Sequence, residues 1–184
     1  PTPTPEPVPT PIPTPTPTPV SSFDTAEYRR SAGAVQANAI AAYNAGASGA
    51  GITAAIIDSG ISLTSGQFSG RISGASSDLA GNRGLADEGG HGTAVAGILG
   101  AARDDSGIAG MAPGVTLLVA RTDQPGSCAS STGCMHTDTA ITRGVDLAVA
   151  NSARVINISL GGSAPDATPM AAIGRAASAG IAVV

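Results

Sequence analysis

The sequence has 184 residues and a formal net charge of −4, and its nine basic residues are all arginines. The length allows one domain with a hydrophobic core. The lack of a basic patch excludes a nucleic-acid partner, and the lack of a long apolar run excludes a membrane span. With only 2% aromatic residues, the core has to be built from Val, Ile, Leu and Ala at close backbone spacing.

The first 48 residues differ in composition from the rest. Every odd position from Pro1 to Pro19 is proline, which predicts that residues 1–20 are a Pro-Thr spacer, disordered or polyproline II. The sequence starts with neither an initiator methionine nor a signal peptide, so we expect that an N-terminal part has been removed or left out. Residues 21–48 are predicted to form a helical N-terminal extension, with two short helices separated at Gly33.

From Gly49 onward, strand and helix patterns alternate. Short apolar, β-branched runs predict strands at 52–58, 115–120, 155–159 and 181–184, with a further short strand at 71–73, and helices are predicted at 91–102, 139–150 and 169–179. This alternation predicts an α/β fold: a doubly wound, mostly parallel sheet with helices on both faces. Because the last apolar run continues to Val184 without a polar stop, we expect a chain truncated on its C-terminal side.

Two polar residues stand where such a fold places its chemistry. Asp58 ends the first predicted strand, and His91 opens a helix after Gly89 and Gly90. A carboxylate at the rim of the sheet can bond an imidazole N–H and fix its tautomer for proton transfer. Each residue alone also has a plainer explanation, as a surface histidine and as a carboxylate bonded to loop amides. A nucleotide-binding domain is disfavoured, because the glycines precede the first strand instead of following it.

The two cysteines, Cys128 and Cys134, have a spacing that suits neither a CxxC redox motif nor a zinc site. It favours a small disulfide-closed loop and therefore an oxidising compartment, with two unpaired thiols as the alternative. His136 follows shortly after and has no evident partner, so we expect it to be an exposed loop residue.

Three motifs occur together in one order: Ile56–Ile61, Gly90–Ile98 and Val155–Gly162. With the stretch Gly107–Pro113, they resemble the subtilisin-like serine peptidases over residues 49–184, as the first half of such a catalytic domain. The resemblance implies a serine endopeptidase that hydrolyses extended protein segments through an Asp-His-Ser triad. Within that triad, Asp58 would orient His91, and His91 would be the general base.

The resemblance also implies roles for neighbouring residues. Ser59 would support the Asp58 carboxylate, and Ser159, Leu160 and Gly161 would bind the substrate as an added strand; without the other motifs, they would be an ordinary strand-to-loop turn. The family's Gly-Thr-Ser-Met-Ala type motif is absent, so we expect the serine and the oxyanion asparagine to lie beyond Val184 and this chain alone to be inactive. The alternative is a non-catalytic peptide-binding or stalked surface module with a protease-like fold.

Calcium and location are further points that the resemblance raises. In many relatives the loop corresponding to 102–108 holds calcium with the help of an aspartate. Asp104 and Asp105 suit calcium, but Gln67 stands at the helper position, so we expect no cofactor, with calcium as the less favoured alternative.

Residues 27–31, the alanine-rich helix and the cysteine loop resemble bacterial autotransporter passenger domains. This implies secretion or a place on the bacterial cell surface, with a protein or peptide substrate as the partner.

Overall fold

The computed structural model describes residues 22–130, 133–162 and 166–184, so the predicted spacer at 1–20 lies outside the described residues. The described strands form one five-stranded sheet in the order β2-β3-β1-β4-β5, and every neighbouring pair is parallel. The strands are β1 (Thr53–Asp58), β2 (Ser77–Asp78), β3 (Thr116–Arg121), β4 (Val155–Asn157) and β5 (Ala182–Val183). The predicted parallel α/β fold is confirmed.

The helices lie on both faces of this sheet, as predicted. Helix α4 packs on one face, and α5 and α6 pack on the other. The bounds are α1 (Ala26–Arg30), α2 (Ala32–Gln36), α3 (Ala39–Asn44), α4 (His91–Gly100), α5 (Asp138–Ala150) and α6 (Ala167–Ser178), with a 3₁₀ turn at Ser127–Ala129. Among the described residues, no helix has the length and apolarity that a membrane span needs.

The central strand β1 divides the core in two. Its alternate residues Ala54 and Ile56 join the cluster under α4, while Ala55 and Ile57 join the cluster under α5 and α6. This period-two alternation explains why the whole strand is apolar: both of its faces are covered. On α5, a Cβ at Gly144 would lie 3.1 Å from the Ile57 side chain, so the small residues do allow the close packing that the composition predicts.

Several predicted boundaries differ in the structure. Residues 71–73 contribute only a single bridge, from Ile72 to Leu117, and the edge strand β2 comes later. Strand β4 ends at Asn157 instead of at residue 159. Helix α6 begins at Ala167, two residues before the predicted start at Pro169. Pro169 is tolerated in the first turn, because the N–H that proline lacks would have no acceptor inside the helix there.

The N-terminal extension contains three helices and not the predicted two. The breaks fall at Ser31 (ψ 80°) and at Asn38, whose φ of 52° is left-handed, whereas Gly33 lies within α2. Asparagine tolerates this conformation better than most residues do. The Tyr43 hydroxyl donates to the Gly110 carbonyl oxygen at 2.7 Å. The extension is thereby fastened to the loop that follows α4.

Candidate active site

The carboxyl end of β1 and the first turn of α4 meet at one edge of the sheet. Asp58, the last residue of β1, is fully buried, whereas the side chain of His91, the first residue of α4, is 55% exposed. The imidazole Nδ1 lies 2.9 Å from Oδ1 and 3.0 Å from Oδ2 of Asp58. The structure thus brings the two predicted residues together. An ionised carboxylate in this place holds the proton on Nδ1 and leaves Nε2 as the acceptor.

Gly92 permits this close approach of α4 to β1. A Cβ on Gly92 would overlap the carbonyl oxygen of Gly60 and would lie 3.2 Å from the Cβ of Asp58. The glycine is buried, and its N–H donates to the Ser59 hydroxyl oxygen at 3.0 Å. Only a residue without a side chain lets the two elements meet at this distance.

Ser59 contacts the Asp58 carboxylate chiefly through its backbone. Its N–H donates to Oδ1 of Asp58 at 2.7 Å. Its hydroxyl oxygen lies 3.2 Å from the same Oδ1 but only 2.8 Å from Oδ1 of Asp87. The residue therefore stands between two carboxylates, and the second of them was not identified from the sequence.

Asp87 holds the start of α4, where the N-cap residue Gly90 has no side chain to bond the helix N–H groups. Its carboxylate accepts the N–H of Gly90 at 2.8 Å and both the N–H and the hydroxyl of Thr93, at 2.8 and 2.6 Å. Burial opposes ionisation of Asp87, but the hydrogen bonds from Thr93, Ser59 and Gly90 outweigh it and hold its pKa below the ordinary value. An acid just ahead of a helix with threonine in its first turn is the sequence signal that could have found it.

A buried ion network supports the loop that leads into α4. Arg121 on β3 is fully buried, with Nε 2.7 Å from Oδ1 of Asp123 and a terminal nitrogen 2.9 Å from Glu88. The guanidinium of Arg83 lies 2.9 Å from the Asp123 carboxylate and 3.0 Å from the Asp78 carboxylate, and so links the two. Burial opposes ionisation of Asp78, but the hydrogen bonds from Arg83 prevail and its pKa lies below the ordinary value. The network ties the end of β3 to the residues just before His91.

The predicted disulfide between Cys128 and Cys134 is present, with an S–S distance of 2.08 Å. It packs directly on the chain ahead of His91, since a Cβ at Gly89 would lie 2.5 Å from the Cys134 sulfur. The cysteine loop thus supports the histidine segment from the outside, next to the ion network.

His136 is half-buried and has a partner, so the expectation of an exposed, unpaired residue is wrong. Its Nδ1 lies 2.9 Å from the hydroxyl oxygen of Thr122, and Asp123 forms an antiparallel bridge with His136. This bridge folds the cysteine loop back onto the end of β3, a contact that local sequence does not reveal. Burial lowers the pKa of His136, while the negative charges of Asp58 and Asp123 oppose that shift.

The predicted substrate-binding residues Ser159–Gly161 follow β4 after one residue. Ile56 of β1 pairs in register with Asn157 of β4, and because the strands are parallel, the chain leaves the sheet at the edge where Asp58 lies. The first and last of the three residues are exposed and Leu160 is half-buried. This segment is therefore accessible at the same edge as the pair.

Two buried oxygen atoms next to the loop 102–108 bear on whether calcium fits there. Glu27 and Gln67 each carry a buried side-chain oxygen without a hydrogen-bond partner in the described structure. Their other atoms face this loop: Oε1 of Glu27 accepts the Asp104 N–H at 3.2 Å, and Nε2 of Gln67 donates to the Ser106 carbonyl at 3.4 Å. No cluster of three or more His, Cys or acidic side chains suited to a metal occurs among the described residues. A cation here would rely on amide and carbonyl oxygens, which calcium accepts.

Residues 49–184 match the subtilase family. Subtilisin Savinase from Lederbergia lenta is 34% identical over 152 residues, which cover 83% of this chain and 53% of that protein. Alkaline elastase YaB from Bacillus sp. (strain YaB) is 34% identical over 143 residues, 78% of this chain and 35% of that protein. The crystal structure of fervidolysin from Fervidobacterium pennivorans, a keratinolytic enzyme related to subtilisin, matches with a TM-score of 0.63 and 29% identity over 76% of this chain and 21% of that one. The chain spans about half the length of Savinase.

Proposed function

The chain belongs to the subtilase family, and on this premise we propose that it is the aspartate- and histidine-bearing part of a serine endopeptidase. The observation that carries the proposal is the contact between a fully buried Asp58 carboxylate and the accessible imidazole of His91. A buried carboxylate fixes the tautomer, and an exposed ring leaves Nε2 within reach of substrate.

In the proposed reaction, Nε2 of His91 takes the proton of a serine hydroxyl as its oxygen bonds to the substrate carbonyl carbon. The same proton then goes to the leaving amine as the C–N bond breaks and the serine ester forms. Water, deprotonated by Nε2, attacks the ester, and the proton returns to the serine. The Asp58 carboxylate stabilises the imidazolium that forms in each half of the cycle.

We propose that the substrate is an extended protein segment that lies along Ser159–Gly161. These residues are accessible at the edge of the sheet where Asp58 lies. Exposed backbone groups at such a place can pair with a peptide as a further strand. The main-chain hydrogen bonds then give affinity, and pockets for the peptide side chains give specificity.

Covalent labelling tests the proposal. The sequence has no Gly-Thr-Ser-Met-Ala type motif, so the proposed serine comes from the remainder of the catalytic domain, and the test uses the full-length protein. A fluorophosphonate should label one serine, and His91→Ala should abolish that labelling. Peptide binding without any labelling would identify a non-catalytic module instead.

Gly92→Ala tests whether the approach of α4 to β1 matters to activity. The added methyl group would overlap Gly60 and push the first turn of α4 away from Asp58, so we expect kcat/KM to fall about 10²-fold. Gly97→Ala on the same helix is the matched control, because its methyl would lie 3.6 Å from Ile108, an ordinary contact. Equal activities of the two variants in a peptide hydrolysis assay would contradict the prediction.

We propose calcium as the cofactor in preference to no cofactor, because Glu27 and Gln67 each have a buried oxygen without a hydrogen-bond partner in the described structure. Asp104 and carbonyl groups of the loop 102–108 would complete the set, and the ion would only join the N-terminal extension to this loop. If calcium binds, EDTA should lower the Tm by roughly 5–10 °C.

The Glu27→Gln variant should show a much smaller effect of EDTA, because it removes the one buried carboxylate of the set. Asp24→Asn, which changes a half-buried carboxylate of the same extension that pairs with Arg29 and not with the loop, should respond like the parent protein. Calorimetry with and without EDTA measures both. An unchanged Tm in EDTA would support the absence of a cofactor.

We also propose that the protein is secreted or held at the bacterial cell surface. The disulfide between Cys128 and Cys134 supports an oxidising compartment. The resemblance to autotransporter passenger domains remains a prediction, which cell fractionation of the producing bacterium would test.

A further inference from the structure

The hydroxyl of Ser59 can donate one hydrogen bond, and two carboxylates lie within its reach. Its oxygen lies 2.8 Å from Oδ1 of Asp87 and 3.2 Å from Oδ1 of Asp58, and it accepts the Gly92 N–H. The shorter contact is the stronger hydrogen bond, so the proton points to Asp87. Oδ1 of Asp58 is then left for the Ser59 N–H and for His91, whose Nδ1 is 2.9 Å away.

The geometry points to Asp87 as a positioning residue that draws the Ser59 hydroxyl proton away from Asp58, so that His91 has the carboxylate without a competing donor. This inference rests on the proposed function, since it concerns how well the pair works. Asp87 itself is held in place by donors from the loop and from the first turn of α4. It therefore couples the start of the histidine helix to the residue next to Asp58.

Removal of the Asp87 carboxylate leaves Asp58 as the acceptor for the Ser59 hydroxyl. A carboxylate that accepts an additional hydrogen bond is a weaker partner for an imidazolium. We therefore expect Asp87→Ala to lower kcat roughly tenfold with little change in KM. The acid side of the kcat/KM profile should move to lower pH by roughly half a unit.

Other charged groups also face His91. They are Asp58 on β1 and His136 ahead of α5. Glu88→Gln is the matched control, because it removes the same charge one residue away, from a side chain that contacts Arg121 and not Ser59. The control should leave kcat and the pH profile close to those of the parent protein.

A double variant separates positioning from mere support of the helix. If Asp87 acts through the Ser59 hydroxyl, the shift in pH profile caused by Asp87→Ala should disappear in a Ser59→Ala background. A shift that persists there would overturn the inference, because Asp87 would then act through α4 or through its charge. Should Asp87→Ala fail to fold, Asp87→Val, a side chain of comparable size without an acceptor atom, carries the same comparison.

The outcomes also distinguish this inference from the proposed function. If His91→Ala and Asp58→Asn abolish hydrolysis by the full-length protein while Asp87→Ala behaves like Glu88→Gln, only the inference about Asp87 fails. If His91→Ala and Asp58→Asn retain hydrolysis, the proposed function fails, whatever Asp87→Ala does.

Discussion

His91→Ala is expected to lower kcat of the full-length protein by roughly 10⁶-fold, the magnitude known for the loss of a triad histidine in this family. The reason is the geometry of the pair: Nε2 of His91 is the proton acceptor that the exposed ring offers, and Asp58 behind it is fully buried. Without the ring, the serine hydroxyl has no base. The measurement is peptide hydrolysis, normalised to the concentration of folded protein.

His136 supplies the control for this prediction. It is the other histidine of the chain, it lies close enough to sense the charges of Asp58 and His91, and its Nδ1 contacts Thr122. His136→Ala should keep activity within about tenfold of the parent, because its ring does not contact Asp58. A His91→Ala protein that retained more than about one hundredth of the parent kcat would exclude His91 as the base.

The pair itself could be predicted from the sequence because both members have strong local signals. Asp58 ends an apolar, β-branched run, and His91 follows two glycines at the start of a helix. In a parallel sheet, strand ends and the helices that follow gather at one edge, so local patterns already limit where the two residues can meet. The same periodicity explains why the sheet and its two helical layers were predicted correctly.

The supporting residues could not be predicted, because their partners are distant in sequence. Arg121 comes just after the predicted strand 115–120, and nothing in the local sequence shows that Glu88 and Asp123 neutralise it. The contact of Ser59 with Asp87 spans 28 residues, which are mostly irregular loop apart from the short strand β2. Such loops have no periodicity, so their path is decided by tertiary ion pairs and hydrogen bonds, which a single sequence does not display.

The N-terminal extension shows the same limit in its turns. The sequence predicts a break at Gly33 from helix stop signals, but the structure breaks the helix at Ser31, whose hydroxyl accepts the N–H of Ala109 at 2.8 Å. A contact across 78 residues thus outweighed a local preference.

Asp58→Asn is expected to lower kcat by roughly 10⁴-fold, the size of effect known for serine peptidase triads. The Ser59 N–H would hold the asparagine oxygen at the present place of Oδ1. The amide nitrogen would then occupy the place of Oδ2, 3.0 Å from Nδ1 of His91. As a donor, it would require an unprotonated Nδ1 and so place the ring proton on Nε2, where it blocks removal of the serine proton.

This prediction separates a tautomer effect from a simple loss of charge at the surface. Asp146→Asn removes the same charge from an exposed side chain that pairs with Arg175, and it should leave kcat unchanged, because surface ion pairs contribute little. The substitution at Asp58 changes one atom and almost no volume, so it should leave the packing of β1 intact. A loss below tenfold in Asp58→Asn, with the fold retained, would mean that His91 keeps its working tautomer without the carboxylate.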